Sequence, residues 1–330
     1  MVANRKKYLD IAKGIGILLV VLGHSFPDEN TVNGISIAFF DVLKEIIYSF
    51  HMPLFFFVSG YLTKRLIGKW DGKQMRRKAE RLLIPYISMS LLYLPLRIYF
   101  SVMASSSYEI KDVWKIIIGI SPNGGAWFLY VLFWASIFTI VFVNDKNIKV
   151  IMIISFIVSL LTRGNVFFVE YSALRYFCFN YFFFIAGVFA NIRLIDFEDI
   201  LKRVKTFPCI IFFAILFYVY YCQKVSILSS ILAVLGMLVT LRVSKKLEEC
   251  ASADSISSKL MRLGLDSMYI YIIHGPIQVV IRYIFWSKLQ INYYICVLLM
   301  FICGLGGSIL IEYFLIKKVK LLDWALSGKK

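Results

Sequence analysis

The sequence predicts an all-α integral membrane protein, a bundle of about ten transmembrane helices with both termini in the cytoplasm. Hydrophobic residues occupy 60% of the 330 positions, and the mean hydropathy is +0.76. Soluble globular domains are less apolar. The hydrophobic residues recur in blocks of helical length, and the positive charges lie in the short segments between these blocks.

The apolar blocks give the predicted spans and the domain organisation. Several are only about 15 to 18 residues long, near the lower limit for a helix that crosses a membrane. The ten predicted spans are residues 9–26, 46–63, 83–102, 126–143, 148–162, 176–191, 206–222, 225–241, 265–284 and 291–316. Neither an attached soluble domain nor a cleavable signal peptide is expected, so residues 1–330 are predicted to form a single transmembrane domain.

The placement of Lys and Arg gives the predicted orientation. With the N-terminus inside, the inner segments hold 27 of the 37 Lys and Arg residues, and the outer segments hold 7. This asymmetry places both termini in the cytoplasm. The net charge of +17 is explained by topology, with attraction to anionic membrane lipids or an anionic cofactor as a second interpretation. Nucleic-acid binding is not expected.

Three segments between the spans are predicted to differ from simple connecting loops. Residues 64–83 alternate basic and apolar positions and are expected to form an amphipathic interfacial helix. Residues 105–125 form the longest outer segment and are expected to fold onto the mouth of the bundle. Residues 250–262 are polar and are expected to be mobile.

Several common catalytic and metal-binding patterns are absent from the sequence. It contains no P-loop, no GxSxG elbow and no HExxH, so serine-hydrolase and metallohydrolase chemistry have no support. The six Cys form no CxxC pair, and most lie in apolar blocks. Neither a metal site nor a disulfide framework is expected.

The first predicted span carries three ionisable residues, which are costly in lipid and therefore functional candidates. Helix geometry places Lys13 and His24 on one face, about 20° apart around the axis and about 16 Å apart along it. Asp10 lies three residues before Lys13 and can pair with it. The alternatives are interfacial snorkelling for Asp10 and Lys13 and a structural, hydrogen-bonded role for His24.

The other two histidines also lie in apolar blocks. His51 begins the apolar part of the second span, and Pro53 follows it, so a kink is expected there. His274 lies in mid-span shortly before Pro276, where the helix is expected to break. Asp266, eight residues before His274, is expected on the same face. Histidines at similar depth on the first two spans favour a shared polar cavity.

Further polar residues inside the predicted spans either pair within the bundle or serve the same cavity. They are Arg97, Arg175, Asn180 and Glu312. The remaining candidate for chemistry is a buried imidazole. Imidazole as a side-chain type titrates near neutral pH, so it can act as a general base on a hydroxyl or be acylated as a nucleophile. The sequence leaves both mechanisms open.

Several longer stretches occur in an order that is known from one protein family. They are YLDIAKGIGILLVVLGHS, FHMPLFFFVSGYL, RKAERLLIPY, GGAWFLYVLF, RYFCFNYFFFIAG and LGLDSMYIYIIHGPI. With these stretches the chain resembles the membrane-bound family 3 acyltransferases, especially the branch of fucose 4-O-acetylase-like and capsule or exopolysaccharide O-acetyltransferases. The resemblance spans nearly the whole chain and implies a multi-pass protein of a bacterial plasma membrane.

The resemblance also implies a reaction. Family members move an acyl group, usually acetyl from acetyl-CoA, onto a hydroxyl of a cell-envelope or extracellular glycan. Their first-helix motif, a basic residue followed eleven positions later by His, matches Lys13 and His24. Many members have Arg at the first position, and Lys lacks its planar fork. Larger relatives carry an extracytoplasmic hydrolase-like domain, which is not expected here, so the membrane domain or a partner must deliver the acceptor.

Site residues follow from this resemblance and from the polar residues described above. The predicted catalytic residues are His24, Asp10 and His51, with His24 as the general base or the acyl-accepting group. The predicted acetyl-CoA-binding residues are Lys13, Arg76, Arg77, Lys78 and Arg81, which offer cations to the phosphates. The predicted acceptor-binding residues are Trp127, Arg175, Tyr271 and His274. A homodimer is a further possibility.

Two functions of other classes remain as alternatives. A transporter or exporter of a glycan, or of a lipid-linked glycan unit, also uses broken helices and buried charges, although no inverted repeat is visible. A membrane scaffold for glycan assembly would leave the aligned Lys13 and His24 unexplained. Consumption of acetyl-CoA separates the acyltransferase from both alternatives.

Overall fold

The computed structural model describes residues 6–26, 38–63, 72–99, 108–166, 169–250 and 255–328. These residues form helices joined by turns and short loops, as the sequence predicts. The thirteen α-helices within the described ranges are α1 (Lys7–Ser25), α2 (Ala38–Tyr61), α3 (Gly72–Tyr99), α4 (Trp127–Phe142), α5 (Ile148–Arg163), α6 (Ser172–Ile192), α7 (Leu194–Arg203), α8 (Thr206–Gln223), α9 (Leu228–Glu249), α10 (Ile256–Leu265), α11 (Ser267–Ile281), α12 (Tyr293–Phe314) and α13 (Lys320–Ser327). Two 3₁₀ segments, Ile110–Ile118 and Ile316–Lys318, and a π-helical segment, Arg282–Lys288, lie between them.

Eight helical stretches in the described residues are long and apolar enough to cross a membrane. They are α1, α2, α3, α6, α8, α9, α11 with the π-helical segment, and α12 with the 3₁₀ segment that follows it. The other two predicted spans are α4 and α5, which have 16 residues each. A helix of that length extends about 24 Å, less than the roughly 30 Å of a bilayer core. The multi-pass membrane architecture is confirmed, whereas the count of ten and the orientation stay predictions.

Large apolar side chains cover the exposed faces of two long helices. On α8 they are Phe207, Ile210, Ile211, Phe212, Ile215 and Tyr218. On α12 they are Tyr294, Ile295, Leu298, Ile302, Ile309 and Leu310. Apolar patches of this extent are unusual on a soluble monomer. We infer that α8 and α12 face lipid.

The chain divides into two compact units. The first unit comprises residues 1–17, 46–72 and 134–267, and the second comprises residues 18–45, 73–133 and 268–330. Helices α1, α2 and α4 contribute several residues to each unit, and α3 and α11 contribute only their first residue to the first unit. That residues 1–330 form one transmembrane domain stays a prediction.

Glycines allow close helix crossings in the first unit. A Cβ atom on Gly187 of α6 would collide with the main chain of α2 at Phe57, and one on Gly60 of α2 would collide with the carbonyl oxygen of Phe184. The two helix backbones are therefore in contact at Gly187 and Gly60. Any larger residue at either position would push the helices apart. The carboxamide of Asn191 adds a hydrogen bond of 2.6 Å to the carbonyl of Tyr61 across the same pair of helices.

A second crossing of this kind joins α1 to α10. A Cβ atom on Gly14 would collide with the carbonyl oxygen of Leu260, and one on Gly264 would collide with the carbonyl oxygen of Asp10. The two glycines thus seat the first half of α1, which carries Asp10 and Lys13, directly on the main chain of α10.

In the second unit, the 3₁₀ segment Ile110–Ile118 packs on α3 and α4. The Tyr86 hydroxyl of α3 donates to the carbonyl of Ile116 over 2.8 Å, and the Tyr130 hydroxyl of α4 donates to that of Ile117 over 3.2 Å. A hydrogen bond from Lys115 holds the pKa of Asp112 below its ordinary value. Within the described residues from 108 on, the predicted folding of this segment onto the helices is confirmed.

The structure adds to or differs from several local expectations. Residues 72–83 are helical and form the first turns of the long helix α3, and α10 begins at Ile256 within the segment expected to be mobile. The interfacial location of the former and the mobility of the latter stay predictions. The helix does not break at Pro276, because α11 continues through it to Ile281. Asp266 caps α10 and lies outside α11, so it is not on the helix of His274. Residues 64–71, 105–107 and 251–254 lie outside the described ranges.

The α2–α6 crossing makes Gly187→Ala destabilising. The added methyl has to push two main chains apart, and overpacking of this kind costs about 1–3 kcal/mol. We expect the purified variant to melt several degrees below wild type in a detergent thermal-shift assay. Gly306→Ala in α12 is the matched control, because its Cβ would meet no atom within 4 Å. Equal melting temperatures for Gly187→Ala and Gly306→Ala would contradict the close crossing.

Candidate active site

The imidazole rings of His24 and His274 lie side by side in the second unit. His24 is in the last turn of α1, and His274 is near the middle of α11. Their ring centroids are 5.4 Å apart, with the ring planes tilted by 49°. His274 is buried and His24 is half-buried. Two residues that are far apart in the sequence therefore form one imidazole pair.

A hydrogen bond to its own helix fixes the tautomer of His274. Nδ1 lies 2.9 Å from the carbonyl oxygen of Ile270, one turn earlier on α11. A carbonyl only accepts, so Nδ1 carries the hydrogen and donates it. In the neutral ring the lone pair then lies on Nε2, which is the atom that can accept a proton.

Tyr271 extends the site toward the start of α4. Its hydroxyl donates to the carbonyl of Gly125, and its ring lies 6.2 Å from that of His274 between centroids. The ring of Phe128 meets Tyr271 edge-on at 5.6 Å. The N–H of Gly125 in turn donates to the side-chain oxygen of Asn123 over 3.0 Å, which fixes the turn before α4. The predicted acceptor residues Tyr271 and His274 are thus neighbours.

The other predicted acceptor residues are placed differently. Trp127 is the first residue of α4, and its ring stands perpendicular to that of Phe128 at 6.4 Å. Trp127 is therefore linked to Tyr271 through one aromatic side chain. Arg175 belongs to α6 in the first unit, where its guanidinium lies 5.9 Å from the ring centroid of Tyr176.

His51 lies on α2 in the first unit. Its Nδ1 lies 2.7 Å from the carbonyl oxygen of Ile47, and its ring lies 5.1 Å from that of Tyr48. The helix continues through Pro53. His51 thus makes the same bond to the preceding turn as the histidine of α11 does. A cavity shared by His51 and His24 stays a prediction.

Lys13 and Asp10 form the predicted ion pair, in the first unit. The Lys13 ammonium lies 2.8 Å from Oδ1 of Asp10. The side chain of Asp10 is 6% exposed and that of Lys13 is 19% exposed. The carboxylate is buried and the ammonium is partly exposed, so Lys13 is directed at Asp10 rather than extended into solvent as in interfacial snorkelling.

The start of α1 is held by the end of α9. The N–H of Tyr8 donates to the carboxylate of Glu248 over 3.1 Å, and Lys245 pairs with the same carboxylate over 2.6 Å. The Lys245 ammonium also lies 5.1 Å from the ring centroid of Tyr8. A carboxylate is stabilised at a helix N-terminus by the helix dipole.

The basic residues of α3 lie in its first turns, in the second unit. They are Arg76, Arg77, Lys78 and Arg81. Arg76 pairs with Glu80 over 2.9 Å, while Arg77 and Arg81 are exposed. The left-handed backbone of Gly328 (φ 61°), after α13, packs against the main chain of α3 at Glu80. Exposed guanidinium groups on one helix are suited to phosphate binding.

Two further residues, for which no role is predicted from the sequence, contact the last turn of α1. The side-chain amide of Gln278 donates to the Val21 carbonyl over 2.9 Å and to the Ser25 hydroxyl over 3.0 Å. Arg282 donates to the carbonyl of His24 over 3.3 Å. Both follow the histidine of α11 at intervals of four residues, which places them on its helix face. This spacing is the signal that identifies them.

The arrangement is suited to proton transfer. Two imidazoles in contact can take a proton from a hydroxyl and stabilise the resulting charge between them. Among the described residues, no group of three or more His, Cys, Asp or Glu is arranged to hold a metal ion.

Long apolar helices and a pair of adjacent imidazoles, one buried and one half-buried, define a multi-pass membrane protein with a candidate general base. The acyltransferase 3 family, described as "Acyltransferase domain", matches residues 6–316. The chain therefore belongs to this family of membrane acyltransferases, and the resemblance inferred from its sequence is confirmed.

Two curated proteins named "Nodulation protein NolL" are similar to parts of the chain. The protein of Mesorhizobium japonicum is 29% identical over 133 residues, which cover 39% of this chain and 34% of that protein. The protein of Sinorhizobium fredii is 40% identical over 88 residues, which cover 26% of this chain and 23% of that protein. The chain thus spans about a third or less of these relatives. No solved structure matches it.

Proposed function

We propose that this chain transfers an acetyl group from acetyl-CoA to a hydroxyl of a cell-envelope or extracellular glycan, in the plasma membrane of a bacterium. The observation that carries the proposal is the imidazole pair of His24 and His274 in a member of an acyltransferase family. Attack of a hydroxyl on a thioester needs a base at the attacking oxygen, and these rings are suited to that role. Both similar proteins come from bacteria.

In the proposed reaction, the imidazole of His24 removes the proton of the acceptor hydroxyl. The hydroxyl oxygen attacks the thioester carbonyl at the same time. The carbon–sulfur bond breaks, and the leaving CoA thiolate takes up a proton from the imidazolium. His274, next to His24, stabilises the charge that forms on the pair. In the alternative, the His24 imidazole attacks the thioester carbonyl, the carbon–sulfur bond breaks and CoA leaves as the thiolate. The acceptor hydroxyl then attacks the acetyl group on the imidazole, the carbon–nitrogen bond breaks, and the hydroxyl proton neutralises the thiolate.

Acceptor binding is assigned to the aromatic residues around His274. Trp127 offers a flat ring for a sugar face, and Tyr271, fixed by its bond to Gly125, borders the pair. Arg175 is proposed as a further acceptor contact, and His51 as a further catalytic residue. These roles rest on their residue types and on the predicted sugar substrate.

Acetyl-CoA binding is assigned to the basic residues. Lys13, held by Asp10, and the exposed guanidinium groups of α3 offer cations to the phosphates of CoA. Asp10, which was predicted as a catalytic residue, is proposed to act through its ion pair with Lys13.

Replacement of His24 tests the catalytic assignment. We expect His24→Gln to lower acetyl-CoA-dependent CoA formation by about 100-fold or more, because the base is lost. The assay uses purified protein with glycans extracted from cells that produce it. CoA is quantified by mass spectrometry, because the six free cysteines would react with thiol reagents.

Two control measurements show whether His24→Gln is folded. Its level in the membrane and its melting temperature should both match those of wild type. Normal CoA formation by well-folded His24→Gln would remove His24 from the mechanism. If wild type forms no CoA, the transporter becomes the favoured function, and glycan flux into vesicles is measured next.

Binding of acetyl-CoA tests the basic residues. We expect Lys13→Ala and Arg77→Ala each to weaken binding roughly tenfold, as for loss of one charged hydrogen bond. Acetyl-pantetheine lacks the phosphates, so its binding should be unchanged in both variants. Lys146→Ala, in the turn between α4 and α5, is the matched control with normal affinity. Calorimetry that shows equal acetyl-CoA affinity in all four proteins would contradict the phosphate assignment.

A further inference from the structure

One face of α11 and of the π-helical segment is directed at the last turn of α1. His274, Gln278 and Arg282 follow one another at intervals of four residues, and each contacts that turn. The ring of His274 packs against the ring of His24, and the guanidinium of Arg282 donates a hydrogen bond to the main-chain carbonyl of His24. The π-helical segment begins at Arg282, and such wide turns are common at functional sites.

The end of α1 needs hydrogen-bond donors from elsewhere. The last four carbonyls of a helix have no partner within it, and Arg282 donates to one of them, that of His24. Val21 and Ser25, on either side of His24, are both fully buried. The Ser25 hydroxyl donates to the Val21 carbonyl over 2.8 Å, so these two buried groups are already partnered inside α1 before any contact from another helix.

Gln278 of α11 adds hydrogen-bond donors to both groups from one side chain and so ties this turn to a second helix. Its nitrogen lies 2.9 Å from the Val21 carbonyl, 3.0 Å from the Ser25 hydroxyl and 3.4 Å from the Met300 carbonyl. Carbonyls only accept, so the NH₂ end of the amide faces them. Gln278 is 2% exposed, and it fits because Gly304 of α12 has no side chain: a Cβ there would lie 3.0 Å from the Gln278 nitrogen.

We propose that Gln278 is a positioning residue for His24. Its amide locks the backbone turn that carries His24 to α11, and Arg282 holds the carbonyl of the same residue. The imidazole of His24 is thereby kept beside that of His274. The proposal deepens the proposed function and rests on it for its catalytic consequence.

Loss of the amide donors should act on the rate and leave acetyl-CoA binding intact. Gln278→Leu keeps a side chain of similar size but donates no hydrogen bond. A displacement of a reacting group by about 1 Å can cost on the order of 100-fold in rate. We expect kcat to fall by 30- to 100-fold, with KM for acetyl-CoA changed less than threefold.

The position of His24 can be observed without any reaction. The chain contains three histidines. Protein labelled with ¹⁵N in its imidazole rings, and purified in nanodiscs through a tag without histidine, therefore gives three pairs of ring-nitrogen signals. Single His→Gln variants assign them. In Gln278→Leu we expect the His24 signal to shift or broaden, while the His51 signal stays in place as an internal reference.

Two variants control the experiment. Asn191→Leu removes another buried amide-to-carbonyl bond between helices, the one to Tyr61 in the first unit, and should leave the His24 signal and kcat unchanged. Gly304→Ala keeps Gln278 but displaces the end of its side chain. Because Ala has a higher helix propensity than Gly, the substitution does not weaken helix α12 itself. It should reproduce the His24 shift and gives a second test if Gln278→Leu does not fold.

The outcomes are separable. A shifted His24 signal with a selective loss of kcat supports the positioning role. A shifted signal in a protein whose wild type consumes no acetyl-CoA supports the positioning role and overturns the proposed reaction. Unchanged His24 signals in folded Gln278→Leu or Gly304→Ala overturn the positioning role, whatever the activity.

Discussion

A carbonyl at the buried end of a helix needs a donor, and at the end of α1 the donors come from α11. Gln278 and Arg282 bond to the turn that carries His24, while His274 places its own ring against it. The chemistry of the site and the packing of the helices therefore depend on the same contacts. A residue that satisfies a backbone group at this point also sets the position of an imidazole.

In the first half of α1, too, helix packing and candidate functional side chains lie at the same place. Gly14 and Gly264 bring α1 and α10 together at backbone distance, and beside that crossing the buried Asp10 forms an ion pair with the half-buried Lys13. An ionisable pair at such a position is costly in a membrane protein unless both charges are matched. The pairing explains how α1 tolerates two charges, and the proposed phosphate contact explains why it carries them.

Much of this architecture follows from the sequence. Apolar blocks predict the helices, and the three-residue spacing predicts the pair of Asp10 and Lys13. The contact between His24 and His274 is set by how α1 packs on α11, and no local pattern contains that information. The break expected at Pro276 is absent because packing of α11 outweighs the loss of one backbone hydrogen bond. Gln278 was missed because a single amide in an apolar block has no motif, and only its spacing from His274 reveals it.

The central claim is that His24 and His274 act as one unit. The most direct test is the single-turnover rate of acetyl transfer in wild type, His24→Gln, His274→Gln and the double variant. Residues that act together show strongly non-additive losses. We predict that the double variant is within about threefold of His24→Gln alone. A His274→Gln variant at the wild-type rate, or losses that multiply in the double variant, would contradict the claim.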